Sequence, residues 1–189
     1  MNNAYVVAAL RTAGGRRGGL LANWHPVDLG AQVINALLKE IDCPPDVIED
    51  VIMGSVSQIG EQAMNVARNI VLASQLPESV PATSVDRQCG SSQQALHFAA
   101  QAVMSGSMDV VVAGGVESMT RTPMFSTTTL PQNNGMGHYM SPNLQKRYPN
   151  VEFSQFNGAE MLVKRYGLSR RELDEFALES HRRAAEAHK

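Results

Sequence analysis

The sequence predicts an α/β protein built on a mostly parallel sheet flanked by helices. Short apolar runs rich in Val and Ile alternate through residues 1–119 with stretches of helical period. That order is what βαβ units with right-handed crossovers produce. The apolar runs also lack an in–out alternation, as strands buried on both faces do.

The first predicted strand is "AYVVAAL", residues 4–10, an unbroken apolar run ended by Arg11. "DLGAQVINALLKEI" (28–41) follows, with Leu29, Val33, Ala36, Leu37 and Ile41 at helical spacing. Asp28 is its expected N-cap, and Pro44 and Pro45 close it. "VIMGSV" (51–56) is the second strand, and "MNVARNIVLASQ" (64–75) the second helix, stopped near Pro77. "ATSVDR" (82–87) is the third strand, leading through Cys89 into an Ala-rich helix that runs to about Ser105. "DVVVAGG" (109–115) is the fourth strand and ends in paired glycines.

Past Met119 the pattern changes. Residues 121–152 are rich in Thr, Pro, Asn, Gly and Met and hold no sustained period. This exceeds the roughly 12–15 residues of an ordinary structureless loop, so it is expected to be a functional insertion, an oligomer contact or a disordered lid. Helical pattern resumes at "GAEMLVKRYG" (158–167), with Gly167 as the expected terminator. "SRRELDEFALESHRRAAEAHK" then opens on a capping box, Ser169 to Glu172. Leu173, Phe176, Ala177, Ser180 and Ala184 mark one face of this helix as buried, and the chain reaches Lys189 with the pattern still running, as an interrupted chain does. There is no internal repeat.

Composition bounds the function. Of 189 residues, 43% are hydrophobic and 18% charged, and the net charge is −2 with no basic run. That excludes the electrostatic footprint of a nucleic-acid or anionic-membrane binder. The run from Tyr5 to Leu10 is too short for a signal core or a membrane span. Two cysteines make no disulfide framework, so a reducing, cytoplasmic setting is expected.

Cys89 is the residue whose surroundings ask for an explanation. Arg87 and Gln88 precede it, and Gly90, Ser91 and Ser92 follow. If strand 82–87 feeds the next helix, the thiol lies at a helix N-terminus, where N–H groups and the macrodipole favour an anion. The small residues leave room for a ligand, and the Cys89 amide is placed to bind an oxyanion. Two readings stand at this point: an acylatable nucleophile, or a small helix-start residue packed under the sheet. Cys43, in "IDCPPD", reads as structural.

A nucleophilic thiol needs a base, and none is legible. His97 lies eight residues after Cys89 on the same helix, about 12 Å along its axis. His138 sits in the irregular segment, while His181 and His188 read as solvated on the last helix. Asp86 and Glu117 flank the core strands as charge partners or caps. "AGG" (113–115) lacks dinucleotide spacing, and no metal-ligand spacing appears. "RTAGGRRGG" (11–19) reads as a mobile loop before a phosphate or carboxylate cradle.

Taken together, these stretches resemble the thiolase family, the acetyl-CoA acetyltransferases and 3-ketoacyl-CoA thiolases. The match is carried by "VVAALRTAGGRRGG", "NVARN" (65–69), "VDRQCGSSQQALHFAAQAVMSG", "DVVVAGGVESMTRTPM" and "LESHRRAAEA" (178–187). The resemblance implies that Cys89 takes the acyl group of acyl-CoA as a thioester. The carbanion of a second acetyl-CoA then attacks it, and thiolysis runs the steps in reverse. Coenzyme A and acyl-CoA are thus substrates, with no covalently bound cofactor and no metal. Residues 1–119 would be an incomplete N-terminal thiolase-fold domain, and residues 120–189 the start of an inserted CoA-binding loop domain.

The departures are Asp86 where relatives often have Asn, Ser91-Ser92 where they often have Ser-Gly, and "SQFNG" before Ala159-Glu160 beside the expected acyl pocket. The family's "GHP", "CxG" and "NEAF" motifs, which belong to its C-terminal half, do not occur in this sequence. A thiolase C-terminal half, from a second chain or from further residues, is therefore an expected partner, in a homo- or hetero-oligomer. The competing reading is a non-catalytic thiolase-like module that binds acyl-CoA or a partner. A ketosynthase-type condensing enzyme fits "AGGVESM" less well.

Overall fold

The computed structural model describes residues 3–189. Met1 and Asn2, part of the stretch read for a leader, lie outside the described residues. The chain divides into two compact units, one ending at His138 and the other spanning Tyr139–Lys189.

The first unit carries a three-stranded parallel sheet of β1 (Asp50–Gly54), β2 (Ala82–Val85) and β3 (Val111–Gly115), in the order β2-β1-β3. Val51 pairs with Ala82 on one side and Val112 on the other, so β1 is the central strand. The helices are α1 (Pro26–Glu40), α2 (Val66–Ala73), α3 (Ser91–Ser105) and a short α4 (Ser126–Asn133). The path explains the layers. From β1 to β2 the chain steps one way across the sheet, and from β2 to β3 it steps back over β1. Right-handed crossovers then require α2 and α3 to cover opposite faces.

Side-chain alternation in β1 feeds both faces. Val51 and Met53 join a core with Ala31, Ile34 and Leu38 of α1 and Val66, Ala67, Ile70 and Val71 of α2. Ile52 points the other way, packing with Ala95 and Ala99 of α3. The first core is large and aliphatic, and each fully buried Ile or Val in it is worth about 1.5–3 kcal/mol. The second is thin, because α3 turns small residues to the sheet and leaves Leu96, Phe98 and Met104 exposed on its outer side.

Several expectations are corrected. Residues 4–10 form no strand; Val6 and Val7 are 71% and 75% exposed. The run has the composition of a buried strand, but among the described residues no ladder partner lies beside it. Helix α1 begins earlier than read, since His25 and not Asp28 is the N-cap: its Nδ1 accepts the Val27 N–H at 3.3 Å. Asp28 falls in the first turn, where a negative charge also suits the dipole.

Segment 121–152 is not structureless, because α4 and α5 (Pro142–Arg147) form within it. Ser141 caps α5, its hydroxyl accepting the Leu144 N–H at 3.2 Å. In the second unit α6 (Gln155–Tyr166) ends at Gly167 with φ +64, as expected for a glycine terminator. Helix α7 (Arg170–Ala187) opens on the predicted Ser169–Glu172 capping box. Its predicted buried face is exposed, Phe176 by 81%.

Candidate active site

All three strands are parallel, so their carboxyl ends define one edge of the sheet, and the loops after β1, β2 and β3 meet there. This is the edge at which open α/β sheets present ligand sites. Cys89 stands on it, exposed, in the turn between β2 and α3. The sequence placed the thiol at the helix start; in the structure it lies one residue outside the N-cap, Gly90.

The turn is a tight elbow. Gln88, directly before the cysteine, has φ +49, the left-handed region that a residue with a Cβ seldom occupies. The Asp86 carboxylate accepts the Gln88 N–H at 2.7 Å, an Asx turn. Ser91, 5% exposed, bonds on both sides of the bend: its hydroxyl donates to the Gln88 carbonyl at 2.6 Å and accepts the Arg87 N–H at 3.0 Å. The Gly90 and Ser91 amides return to the Arg87 and Gln88 carbonyls, each at 3.0 Å.

Two glycines seat the helix that follows. A Cβ on Gly54, at the end of β1, would stand 2.3 Å from the Ser92 nitrogen and 2.4 Å from the Ser91 carbonyl carbon. A Cβ on Gly115, at the end of β3, would meet the Ser92 Cβ at 2.7 Å. Glycine at both strand ends therefore lets the first turn of α3 rest against the sheet backbone. Of the paired glycines, Gly115 serves this close approach, whereas a Cβ on Gly114 would face the Met53 side chain.

A buried amide ties the neighbouring loops. Gln62 is fully buried, and its Nε2 donates to the Ser57 carbonyl at 2.9 Å and to Glu117 at 2.8 Å, while its Oε1 accepts the Ser118 N–H at 2.7 Å. The Glu117 carboxylate also accepts the Val56 and Ser57 N–H groups, at 2.7 and 3.3 Å. Glu117 thus holds the loop after β1 to the loop after β3. Such a network is well satisfied, the condition under which buried polar groups rigidify a site.

On the other flank, Asn65 caps α2 from a left-handed conformation with φ +58. Its amide donates to the Ala82 carbonyl at 2.9 Å, and its Oδ1 accepts the Ser84 hydroxyl at 2.9 Å. Sequence reading missed Gln62, Ser91 and Asn65 as organising residues. Only Asp86, spaced two residues before Gln88, carried a visible local signal.

The histidines are placed as follows. His97 is on the exposed side of α3; His138, His181 and His188 are exposed as well. His25 lies at the start of α1, with Nε2 3.8 Å from Glu61. Glu61 pairs with Arg121, whose guanidinium holds the carboxyl below its ordinary range. Among the described residues no three His, Cys, Asp or Glu side chains gather as a metal-ligand set. No described helix is long and apolar enough to cross a membrane.

The family model described as "Thiolase, N-terminal domain" matches residues 4–189. The chain is 49% identical over 186 residues to "Steroid 3-ketoacyl-CoA thiolase FadA6" of Mycobacterium tuberculosis, covering 97% of this chain and 46% of that protein. It is 38% identical to a 3-ketoacyl-CoA thiolase of Bacillus subtilis, covering 99% and 46%. It is 41% identical to a 3-ketoacyl-CoA thiolase of Pseudoalteromonas translucida, with the same coverage of 99% and 46%. The chain therefore spans about half the length of the curated relatives it matches. A parallel α/β sheet, an elbow carrying Cys89 and a family match over nearly every residue lead to one assignment: the chain belongs to the thiolase family and corresponds to its N-terminal domain.

Proposed function

We propose that this chain provides the nucleophilic half of an acyl-CoA acyltransferase acting on 3-ketoacyl-CoA. The Cys89 thiolate attacks the acyl carbonyl, an S–C bond forms, and coenzyme A leaves as the thiol on taking up a proton. In condensation the carbanion of a second acetyl-CoA displaces Cys89; thiolysis is the reverse. The observation that carries the reading is an exposed thiol on the β2–α3 elbow of a chain matching the thiolase N-terminal domain. Helix N-termini favour a bound anion, and α3 begins at this edge, directly after Cys89 and Gly90.

In this reading residues 1–119 are the N-terminal thiolase-fold domain and 120–189 begin the CoA-binding loop domain. Coenzyme A enters as substrate, and a cytoplasmic location accompanies it. The full cycle uses the C-terminal half that the relatives possess, in an oligomer. The exposed apolar side chains of α3, Leu96, Phe98 and Met104, support a covering partner.

The test is mass spectrometry of the protein after incubation with acetyl-CoA. One acetyl group on Cys89, absent in Cys89→Ala, is expected. An unmodified Cys89 even when a thiolase C-terminal half is supplied would leave a binding module in place of the enzyme. Comparing a straight-chain with a steroid-derived 3-ketoacyl-CoA then fixes the acyl preference.

A further inference from the structure

Resting on the acyl-transfer reading above, we propose that Ser91 is the positioning residue of the Cys89 nucleophile. The Ser91 side chain bonds both sides of the bend, accepting the Arg87 N–H at 3.0 Å and donating to the Gln88 carbonyl at 2.6 Å. Between those two bonds lies Gln88 at φ +49, and the peptide that leaves it leads straight into Cys89. A left-handed Gln persists only where its surroundings hold it. Asp86 holds its amide side at 2.7 Å, and Ser91 holds its carbonyl side.

Ser91 can do this because its own backbone is fixed. Its N–H returns to the Gln88 carbonyl at 3.0 Å, and its carbonyl carbon sits where a Cβ on Gly54 would lie 2.4 Å away. The hydroxyl therefore links an immobile point, the seat of α3 on β1, to the strained peptide before the cysteine. Through that link the helix position sets the direction in which Cys89 leaves the elbow. Ser91 touches no reacting atom in this account; it acts through the backbone of Gln88.

The test is alkylation of the chain with iodoacetamide, in which the Cys89 sulfur displaces iodide and the thiol proton passes to solvent. Peptide mass spectrometry reads the rates at Cys89 and at Cys43, with Cys43 as the internal reference. In Ser91→Ala, Cys89 is expected to react about tenfold more slowly with Cys43 unchanged, because orientation of a reacting group alone reaches such factors. Adding Gln88→Gly to Ser91→Ala is expected to restore the Cys89 rate, since glycine takes a positive φ without help.

A hydroxyl that only stabilises the helix gives equal changes at both cysteines and no rescue, which overturns the proposal. So does an unchanged or faster Cys89 in Ser91→Ala. If Ser91→Ala does not fold, the double variant decides alone: a wild-type Cys89 rate supports the proposal, and a slow or unfolded protein overturns it. Acetylation by acetyl-CoA is scored separately. Its absence in the wild type with a thiolase C-terminal half supplied ends the acyl-transfer reading, whereas normal acetylation with an unchanged alkylation ratio ends only the Ser91 proposal.

Discussion

Up to His138 the chain is held by tertiary burial, whereas from Tyr139 to Lys189 it is held by bonds between residues close in sequence. In the first unit Val51, Val66, Ala67, Ile70 and Val71 are completely excluded from solvent. In the second no described residue is buried. Its order comes from the Ser141 and Ser169 caps, the Gly167 terminator and i,i+4 ion pairs along α7 such as Arg170–Asp174 and Arg171–Glu175. An edge-to-face pair, Tyr148 and Phe153 with ring centroids 5.7 Å apart, is its main aromatic packing. The difference teaches where function can be built. A nucleophile needs a fixed frame, and only the first unit has the packed sheet that supplies one.

The comparison is broken most strongly by opening the core between α1, α2 and the sheet. Ile70 is fully buried in that cluster, so Ile70→Ala should cost about 2–5 kcal/mol. Chemical denaturation followed by near-ultraviolet absorption and by helical signal checks it. The midpoint of the sheet unit is expected to fall while the helical signal of residues 139–189 holds. If both fall together, the two regions unfold as one and the contrast drawn here is wrong.

How far the sequence disclosed this follows the same division. The three observed strands and helices α1, α2 and α3 were legible because burial writes itself as apolar runs and helical period. The Ser169–Glu172 capping box was legible because its chemistry is local, four residues long. What failed was whatever depends on a partner distant in sequence. Residues 4–10 have a strand's composition, yet composition does not supply a neighbour to pair with. The apolar stripe of α7 was read as buried for the same reason. At the candidate site the thiol itself was visible from its small neighbours. Of its supports, Asp86 and Glu117 were visible as charge partners or caps, but the joint they make was not: Gln62 and Glu117 are 55 residues apart, and no spacing rule joins them. Gly54 read as part of a strand and Gly115 as one of a closing pair, because the helix backbone they admit appears only in three dimensions.

A smaller effect sharpens the contrast from the other side. Ser169→Ala removes the hydroxyl that accepts the Glu172 N–H at 3.3 Å and donates to the Glu172 carboxylate at 2.8 Å. Loss of such a cap is worth about 1 kcal/mol of helix stability. With no buried residue to compensate, the first turn of α7 should fray, seen as faster amide exchange at residues 170–173. Cys89 alkylation should be untouched. A global drop in protection, reaching β1, would show that α7 is supported by more than its own cap.

The smallest effect is electrostatic and lies within the first unit, outside its core. Glu61 pairs with Arg121, and the Arg121 guanidinium holds the Glu61 carboxyl below its ordinary value of 4.5, with His25 adding to the same direction. The Arg121 Nη1 also donates to the Ala22 carbonyl at 3.3 Å, so the pair tethers the loop before α1. A carboxyl depressed in the folded state binds its proton more readily in the unfolded chain. Its contribution is therefore complete above about pH 4.5 and is lost as pH falls below that value through the depressed one. Thermal melts between pH 3 and pH 7 should show this loss in the wild type, and Glu61→Gln should flatten that part of the profile. Added salt should weaken the wild-type effect, because the pair is open to solvent. If Glu61→Gln leaves the acid limb unchanged, the Glu61–Arg121 pair makes no contribution to the acid sensitivity of the sheet unit and the tether it forms is not a stabilising one.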